Sequence, residues 1–288
     1  MGLTFKNPVM LAAGLDKNAD HVAALFRLGF SGIELGTVTP RPQPGNPQPR
    51  CFRVPQAQAL INRMGFNNLG VKNLKINLLT RRSTGIVGVN IGKNRDTPLE
   101  KAKFDYLHCM DTIYNCADYI TVNISSPNTE KLRTLQFGES LEELLHSLKL
   151  KQEALSNRTD RYVPLALKIS PDLTRGEVES IANALAAYKI DGVVATNTTL
   201  DRTNMSNVKY ASEAGGLSGV PLTEKATMVI KLLKQHLRDN IPIIAVGGIM
   251  SARDAQNKFA AGAKLIQIYS GLVMKGPGLI KEINERKY

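Results

Sequence analysis

Asparagine recurs at one kind of place in this chain. Asn90 in VNIGKN, Asn123 in TVNIS and Asn197 in ATNTT each close an apolar, β-branched run, and Asn62 sits in INRMGFNN. Lysine is placed in the same way: Lys168 lies near the end of LALKI, and Lys17 follows the small residues Ala12, Ala13 and Gly14 of AAGLDK. Thr196 stands beside Asn197 at the end of another run. An amide side chain carries a donor pair and an acceptor. Several of them at strand ends match a flat ring that alternates C=O and N–H groups. The two ammonium groups suit an anionic group and a ligand that gains negative charge. A lone Asn of this kind is more often a cap.

The stretch TVNISSPNT places Asn123, Ser125, Ser126 and Asn128 in close succession after one of these runs. Pro127 fixes its own φ and restricts Ser126 to extended geometry, so a hydroxyl is held at a rigid loop tip. A serine is a weak base unless desolvated and hydrogen-bonded, and it needs neighbours to pass a proton on. No histidine is near in sequence. His108 and His146 fall on helical patterns, so a Ser-His-Asp hydrolase has little support.

Three glycine-rich segments suggest a phosphate site. VGGIMSARD carries Gly247 and Gly248, with Ser251 able to cap the next helix; YSG carries Tyr269, Ser270 and Gly271; GGLSG spans 215–219. Glycine permits close backbone approach to an anion, and amides at helix starts complete such a site.

These side chains must be held by elements that converge. Eight apolar runs serve: 8–14, 32–38, 85–91, 119–125, 164–170, 192–198, 242–248 and 265–271. Continuous apolar runs mean strands buried on both faces, hence parallel strands covered by helices. Amphipathic patterns separate them, among them DHVAALFRLG, SLEELLHSLKLKQEAL, TRGEVESIANALAAYK, TEKATMVIKLLKQHL and SARDAQNKFAAGA. The alternation predicts an α/β fold, a closed (β/α)8 barrel in one domain over 1–288, with an open doubly wound sheet as the competitor. In such barrels the site lies at the C-terminal ends of the strands. A Pro-rich insertion over 39–70 follows the second run, and its pieces RCFRV and AQALINR are expected to pair as a hairpin over the barrel mouth. A second insertion spans 200–219. MGLTF and NPVML are expected to form a small hairpin closing the barrel's bottom.

Composition fits a packed soluble core: 43% hydrophobic and 22% charged over 288 residues. Aromatics are 6% and Trp is absent, a poor supply of stacking surface for nucleic acid. The net charge of +12 is not concentrated: Arg81-Arg82 and the spread Lys225, Lys231 and Lys234 read as a solvated basic surface. The three cysteines, Cys51, Cys109 and Cys116, lack metal spacing, no metal site is expected, and without a signal peptide they point to a reducing compartment. No run reaches the length of a membrane span.

The motifs AAGLDKN, IELGTVTPRPQPGNPQPR, INRMGFNN, VNIGKN, NISSPNT, LKISPDL, ATNTT, GGLSG, VGGI and QIYSG occur in this order. In them the chain resembles, over almost its whole length, the class 2, quinone-dependent dihydroorotate dehydrogenases of gamma-proteobacteria. The long insert and NISSPN are the specific parts. The resemblance implies an FMN-binding (β/α)8 barrel that oxidises dihydroorotate to orotate in pyrimidine synthesis. Ser126 would take the substrate proton; class 1 enzymes carry Cys there. Lys17, Asn62, Arg63, Met64, Gly65, Phe66, Asn123, Asn128, Asn197 and Thr198 would hold the pyrimidine ring. Ala13, Gly14, Lys17, Thr37, Asn90, Asn123, Lys168 and Thr196 would line the flavin, and Gly219, Gly248, Tyr269 and Ser270 its phosphate end. Arg53 and Tyr269 would flank the quinone.

Members of this class carry an N-terminal extension of amphipathic helices that meets the membrane. This sequence begins at MGLTFKNP, at the barrel, so the extension is expected to be absent from it. The family implies a peripheral protein on the cytoplasmic side of the inner membrane, a monomer, with no nucleic-acid partner. A related flavin barrel that reduces uridine in tRNA uses a Cys acid, where this sequence has serine, and a C-terminal helical domain, which is not expected here. A non-catalytic phosphate-binding barrel would not need Lys17, Ser126 and the Asn set.

Overall fold

The apolar runs become strands because both of their faces are covered. In the computed structural model, which describes residues 1–80, 85–205, 208–237 and 240–286, all seven residues of the strand Gly32–Val38 are buried. The strands are β1 (Val9–Leu11), β2 (Gly32–Val38), β3 (Cys51–Val54), β4 (Ala59–Asn62), β5 (Ile86–Ile91), β6 (Tyr119–Asn123), β7 (Leu165–Ile169), β8 (Gly192–Ala195), β9 (Gly216–Gly219), β10 (Ile243–Val246) and β11 (Leu265–Ile268). The helices are α1 (Val22–Arg27), α2 (Val71–Leu79), α3 (Ala102–Ile113), α4 (Gly138–Thr159), α5 (Arg175–Ala187), α6 (Thr223–Leu237), α7 (Ala252–Ala260), α8 (Ser270–Lys275) and α9 (Gly278–Asn284). Eight strands close in parallel in the order β1-β11-β10-β8-β7-β6-β5-β2, with β2 pairing back to β1. This is the (β/α)8 barrel that the sequence predicts. The Arg81-Arg82 pair lies outside the described residues.

Strand alternation splits the barrel into two cores. Val9, Leu11, Ile33, Leu35, Val87, Val89, Ile120 and Val122 point outward into a continuous layer against the helices. Met10, Ala12, Tyr119, Ala166, Val194 and Ile244 point inward. Glu34, between Ile33 and Leu35, therefore shares the inward face, as do Thr121 and Gln267. Helix starts follow local chemistry: Thr174 and Glu177 form a reciprocal capping box on α5, and the Ser251 side chain accepts from Asp254 N at the start of α7.

The 39–70 insertion forms the expected hairpin of β3 and β4, but the hairpin is not alone. β9, from the second insertion, adds antiparallel to β4, making a three-stranded sheet β3-β4-β9. Phe52, Val54, Ala59, Ile61, Met205 and Leu217 form its own small core, so the two insertions fold as one cover. Asn68 fastens the stem, donating to Thr39 Oγ1 and Phe66 O, each at 2.8 Å, and accepting from Gly70 N at 2.7 Å.

The expected hairpin of MGLTF and NPVML does not form. β1 already has β2 and β11 on its two sides, so no free edge remains for residues 1–5. Met1, Leu3 and Phe5 instead close the bottom through side chains packed on the inner core.

Tyr119 crosses the barrel so tightly that a Cβ on Gly88 would lie 2.1 Å from its ring. The ring cannot retreat, because its hydroxyl is held by Glu34 at 2.9 Å. Gly88→Ala should therefore destabilise the protein by about 1–3 kcal/mol through overpacking, read as a lower midpoint in urea denaturation. An unchanged midpoint would show that the interior can relax.

Candidate functional site

A cleft opens at the C-terminal ends of the barrel strands, with about 960 Å³ of empty space counted out to its mouth. Ala13, Gly14, Lys17, Thr37, Asn62, Met64, Gly65 and Phe66 line it from the first half of the chain. Asn123, Ser126, Asn128, Lys168, Thr196, Asn197, Thr198, Gly248, Tyr269 and Ser270 line it from the second.

The floor is polar and fully buried. Glu34 accepts from Asn90 Nδ2 at 2.8 Å, Tyr119 OH at 2.9 Å, Thr121 Oγ1 at 3.0 Å and Gln267 Nε2 at 2.7 Å. Asn90 must then turn its oxygen upward, where it accepts from Thr37 Oγ1 at 2.6 Å and Asn123 Nδ2 at 3.1 Å. Asn123 Oδ1 in turn accepts from Ser125 N at 3.2 Å, Ser125 Oγ at 3.2 Å and Asn197 Nδ2 at 3.3 Å. A directed chain of amides thus runs from the barrel interior to the loop after β6. Asn90 supports this chain from below and is not itself part of the cleft wall.

The two serines of that loop divide their work. Ser125 is fully buried and bonded within the wall, also accepting from Asn197 Nδ2 at 3.0 Å. Ser126 is nearly buried, faces the cleft, and accepts from Asn128 N at 3.2 Å. Asn128 also donates to Asn62 O at 3.1 Å, joining this loop to the cover above it.

Two lysines bring positive charge into the cleft, Lys168 from β7 and Lys17 from the loop after β1. β6 and β7 pair Asn123 directly with Lys168. Burial lowers the Lys168 pKa, and the attraction of Glu34 only partly offsets that. Lys17 is lowered to about 8, first by burial and then by the nearby Arg50 guanidinium, with Cys51 acting the other way. Both lysines would hold a proton more firmly beside an anion.

The glycine-rich segments converge as the sequence suggests. Ser270 Oγ donates to Ser218 Oγ at 2.8 Å, bringing YSG and GGLSG together. Gly248 has φ +72 and a Cβ there would lie 2.3 Å from Thr223 Cα, so only glycine fits this turn. Gly219 does not line the cleft; its close approach to Gln58 and Ala59 serves the pairing of β9 with β4. Ser251 is spent on capping α7.

Besides Asn90 and Gly219, two further expected contacts fall outside the cleft. Arg63 donates to Glu213 at 2.7 Å and stacks 4.7 Å over Phe52, so its side chain serves the cover. Arg53 is exposed and donates to Val273 O at 3.1 Å on α8. Tyr269 stands between the two regions, in the cleft wall, its pKa pushed up to about 12 by burial. The cysteines are free, Cys109 buried and Cys51 exposed. His146 packs edge-on at 6.3 Å from Tyr188.

Sequence reading overlooked Glu34, Thr121 and Gln267. Each is a single polar residue inside an apolar strand, and that interruption was the available signal. Of the buried side-chain atoms without a protein partner among the described residues, two, Gln267 Oε1 and Thr198 Oγ1, belong to residues that line the cleft. Together with the polarity of the amide chain, they fit a flat ring carrying donors on its edge. The residues present thus suit a flavin with its phosphate at the glycine-rich end.

Comparison with known proteins agrees with this geometry. The family described as Dihydroorotate dehydrogenase matches residues 1–286. A Cronobacter sakazakii protein named dihydroorotate dehydrogenase (quinone) is 57% identical over 283 residues, 98% of this chain and 84% of the relative. A Shewanella pealeana protein of the same name is 59% identical over 285 residues, 99% of this chain and 84% of the relative. Among solved structures, the Eimeria tenella dihydroorotate dehydrogenase in complex with ferulenol superposes with a TM-score of 0.93 at 36% identity, covering 99% of this chain and 81% of that one. Matches of this extent and identity establish that the chain belongs to the dihydroorotate dehydrogenase family.

Proposed function

We propose that this protein oxidises (S)-dihydroorotate to orotate, with FMN as the bound flavin and a quinone as the final electron acceptor. The observation that carries the reading is a desolvated serine hydroxyl, Ser126, in the same cleft as two lysines and a directed set of amides. When bound, the flavin supplies the acceptor for the hydride leaving C6 of the substrate and holds the electrons that the quinone later removes.

The protein's own groups do the rest. Ser126 Oγ takes the proton from C5 and passes its own proton outward. The Asn128 N–H at 3.2 Å favours negative character on that oxygen as the proton moves. Asn62, Asn128, Asn197 and Thr198 orient the pyrimidine ring, with the backbone of Met64, Gly65 and Phe66 closing over it. Lys17 meets the substrate carboxylate. Lys168 and Thr196 face the cofactor ring, and Lys168 offsets charge that develops there. Ser218, Gly248 and Ser270, which line the cleft together, would hold a single phosphate.

The quinone would approach between β3 and α8, past Arg53 and Tyr269. An apolar acceptor dissolved in a bilayer calls for peripheral docking on a membrane, at the cytoplasmic face of the inner membrane. Among the described residues no helix is long and apolar enough to cross one. The reading takes the acting unit to be a monomer with no nucleic-acid partner.

Replacing Ser126 by Ala should leave FMN and orotate binding intact and slow anaerobic flavin reduction by at least about a hundredfold. Near-normal reduction in stopped flow would assign the base to another group. Lys17 supplies a pH signature. It is protonated below a pKa of about 8, so orotate affinity should be flat below that value. Above it, affinity should weaken about tenfold per pH unit, until the raised pKa of the complex is reached. Lys17→Met should bind orotate weakly at every pH. A wild-type affinity that holds constant across this range would remove Lys17 from the carboxylate site.

A further inference from the structure

The loop that carries Ser126 ends in a short 3-10 helix, Leu132–Gln136, and Arg133 is on its first turn. The guanidinium reaches back across the site. Nε donates to Ser125 O at 3.1 Å, one NH2 group donates to Thr198 O at 2.8 Å, and the other to Asp172 Oδ2 at 2.9 Å. Two of these acceptors are backbone carbonyls, one of Ser125 beside the proposed base and one of Thr198 at the proposed ring site, the latter 65 residues from Arg133 in sequence. Arg133 itself does not line the cleft.

The third acceptor is a fixed anchor. Burial disfavours charge on Asp172. Hydrogen bonds from Thr199, Leu200, Arg133 and Lys225 outweigh that and keep its carboxyl below the ordinary carboxylate range. Lys225 donates to it at 3.1 Å and also pairs with Asp201 at 2.8 Å. A planar fork spreads its donors over three nitrogens in fixed directions and so spans three separated acceptors; an ammonium group offers its three donors from a single nitrogen on a flexible stem.

We propose that Arg133 is a positioning residue. It locks the root of the Ser126 loop to the loop after β8, and so fixes the approach of Ser126 Oγ to the ring held by Asn197 and Thr198. This rests on the reading of Ser126 as the base. Loosening the lock misplaces the hydroxyl without removing it, and small misplacements of reacting groups are costly in rate.

The test is single-turnover reduction of the FMN-loaded protein by dihydroorotate in wild type, Ser126→Ala, Arg133→Lys and the double variant. Arg133→Lys should reduce its flavin about tenfold to a hundredfold more slowly than wild type. In the Ser126→Ala background the same change should have no further effect, because the group it positions is gone. A general loosening of the fold would slow both backgrounds equally, and that result, or a wild-type rate for Arg133→Lys, overturns the proposal. Normal reduction by Ser126→Ala overturns the base assignment itself and the Arg133 role with it. If Arg133→Lys does not hold flavin, Asp172→Asn replaces it in the same cycle, with the same non-additivity expected and additivity again counting against the lock.

Discussion

A carboxylate buried in the centre of a barrel has to be surrounded by donors, and that requirement orders the whole site. Glu34 is fully buried, and isolated charge in such a place is expensive unless it is hydrogen-bonded and paired. Four side chains donate to it, and Lys168 provides the opposing charge. Because the carboxylate consumes the NH2 groups of Asn90 and Gln267, their oxygens must point the other way. The polarity of each later amide follows from that first choice, up to Asn123, Ser125 and Asn197. A neutral or apolar floor would leave those amides free to flip.

The same layer separates stability from function within one strand. Below it, Met10, Ala166, Val194 and Ile244 fill the barrel as an ordinary apolar core. Above it, polar groups are held with little freedom, and two atoms of cleft-lining residues, Gln267 Oε1 and Thr198 Oγ1, are left without protein partners. The cover built from both insertions completes the cleft, and Asn128 joins it to the serine loop. Scaffold strands supply rigidity; loops at their ends supply chemistry, the usual division in barrels of this type.

Much of this was legible in the sequence, for physical reasons. Double-sided burial writes itself as continuous apolar runs, so the barrel strands could be read directly. Strand ends are where backbone leaves the ladder, so Asn123, Lys168 and Asn197 stood out against their apolar neighbours. Glu34 and Gln267 were harder to read, because one polar residue within GIELGTV or LIQIYSG looks like noise until the closed barrel puts both in the same interior. β9 was read only as a glycine-rich loop, since its pairing with β4 links segments distant in the chain. Arg63 was assigned by motif position, while its side chain is claimed by Glu213, a partner no local pattern reveals.

The proposed chemistry is one event: a serine-assisted removal of hydrogen from dihydroorotate into a flavin that would sit above the Glu34 layer. Anaerobic titration of the FMN-loaded protein with dihydroorotate, followed by visible absorbance, tests it directly. The account predicts that the flavin band bleaches in proportion to added substrate and that orotate appears in equal amount. A flavin band that persists in excess dihydroorotate would contradict it.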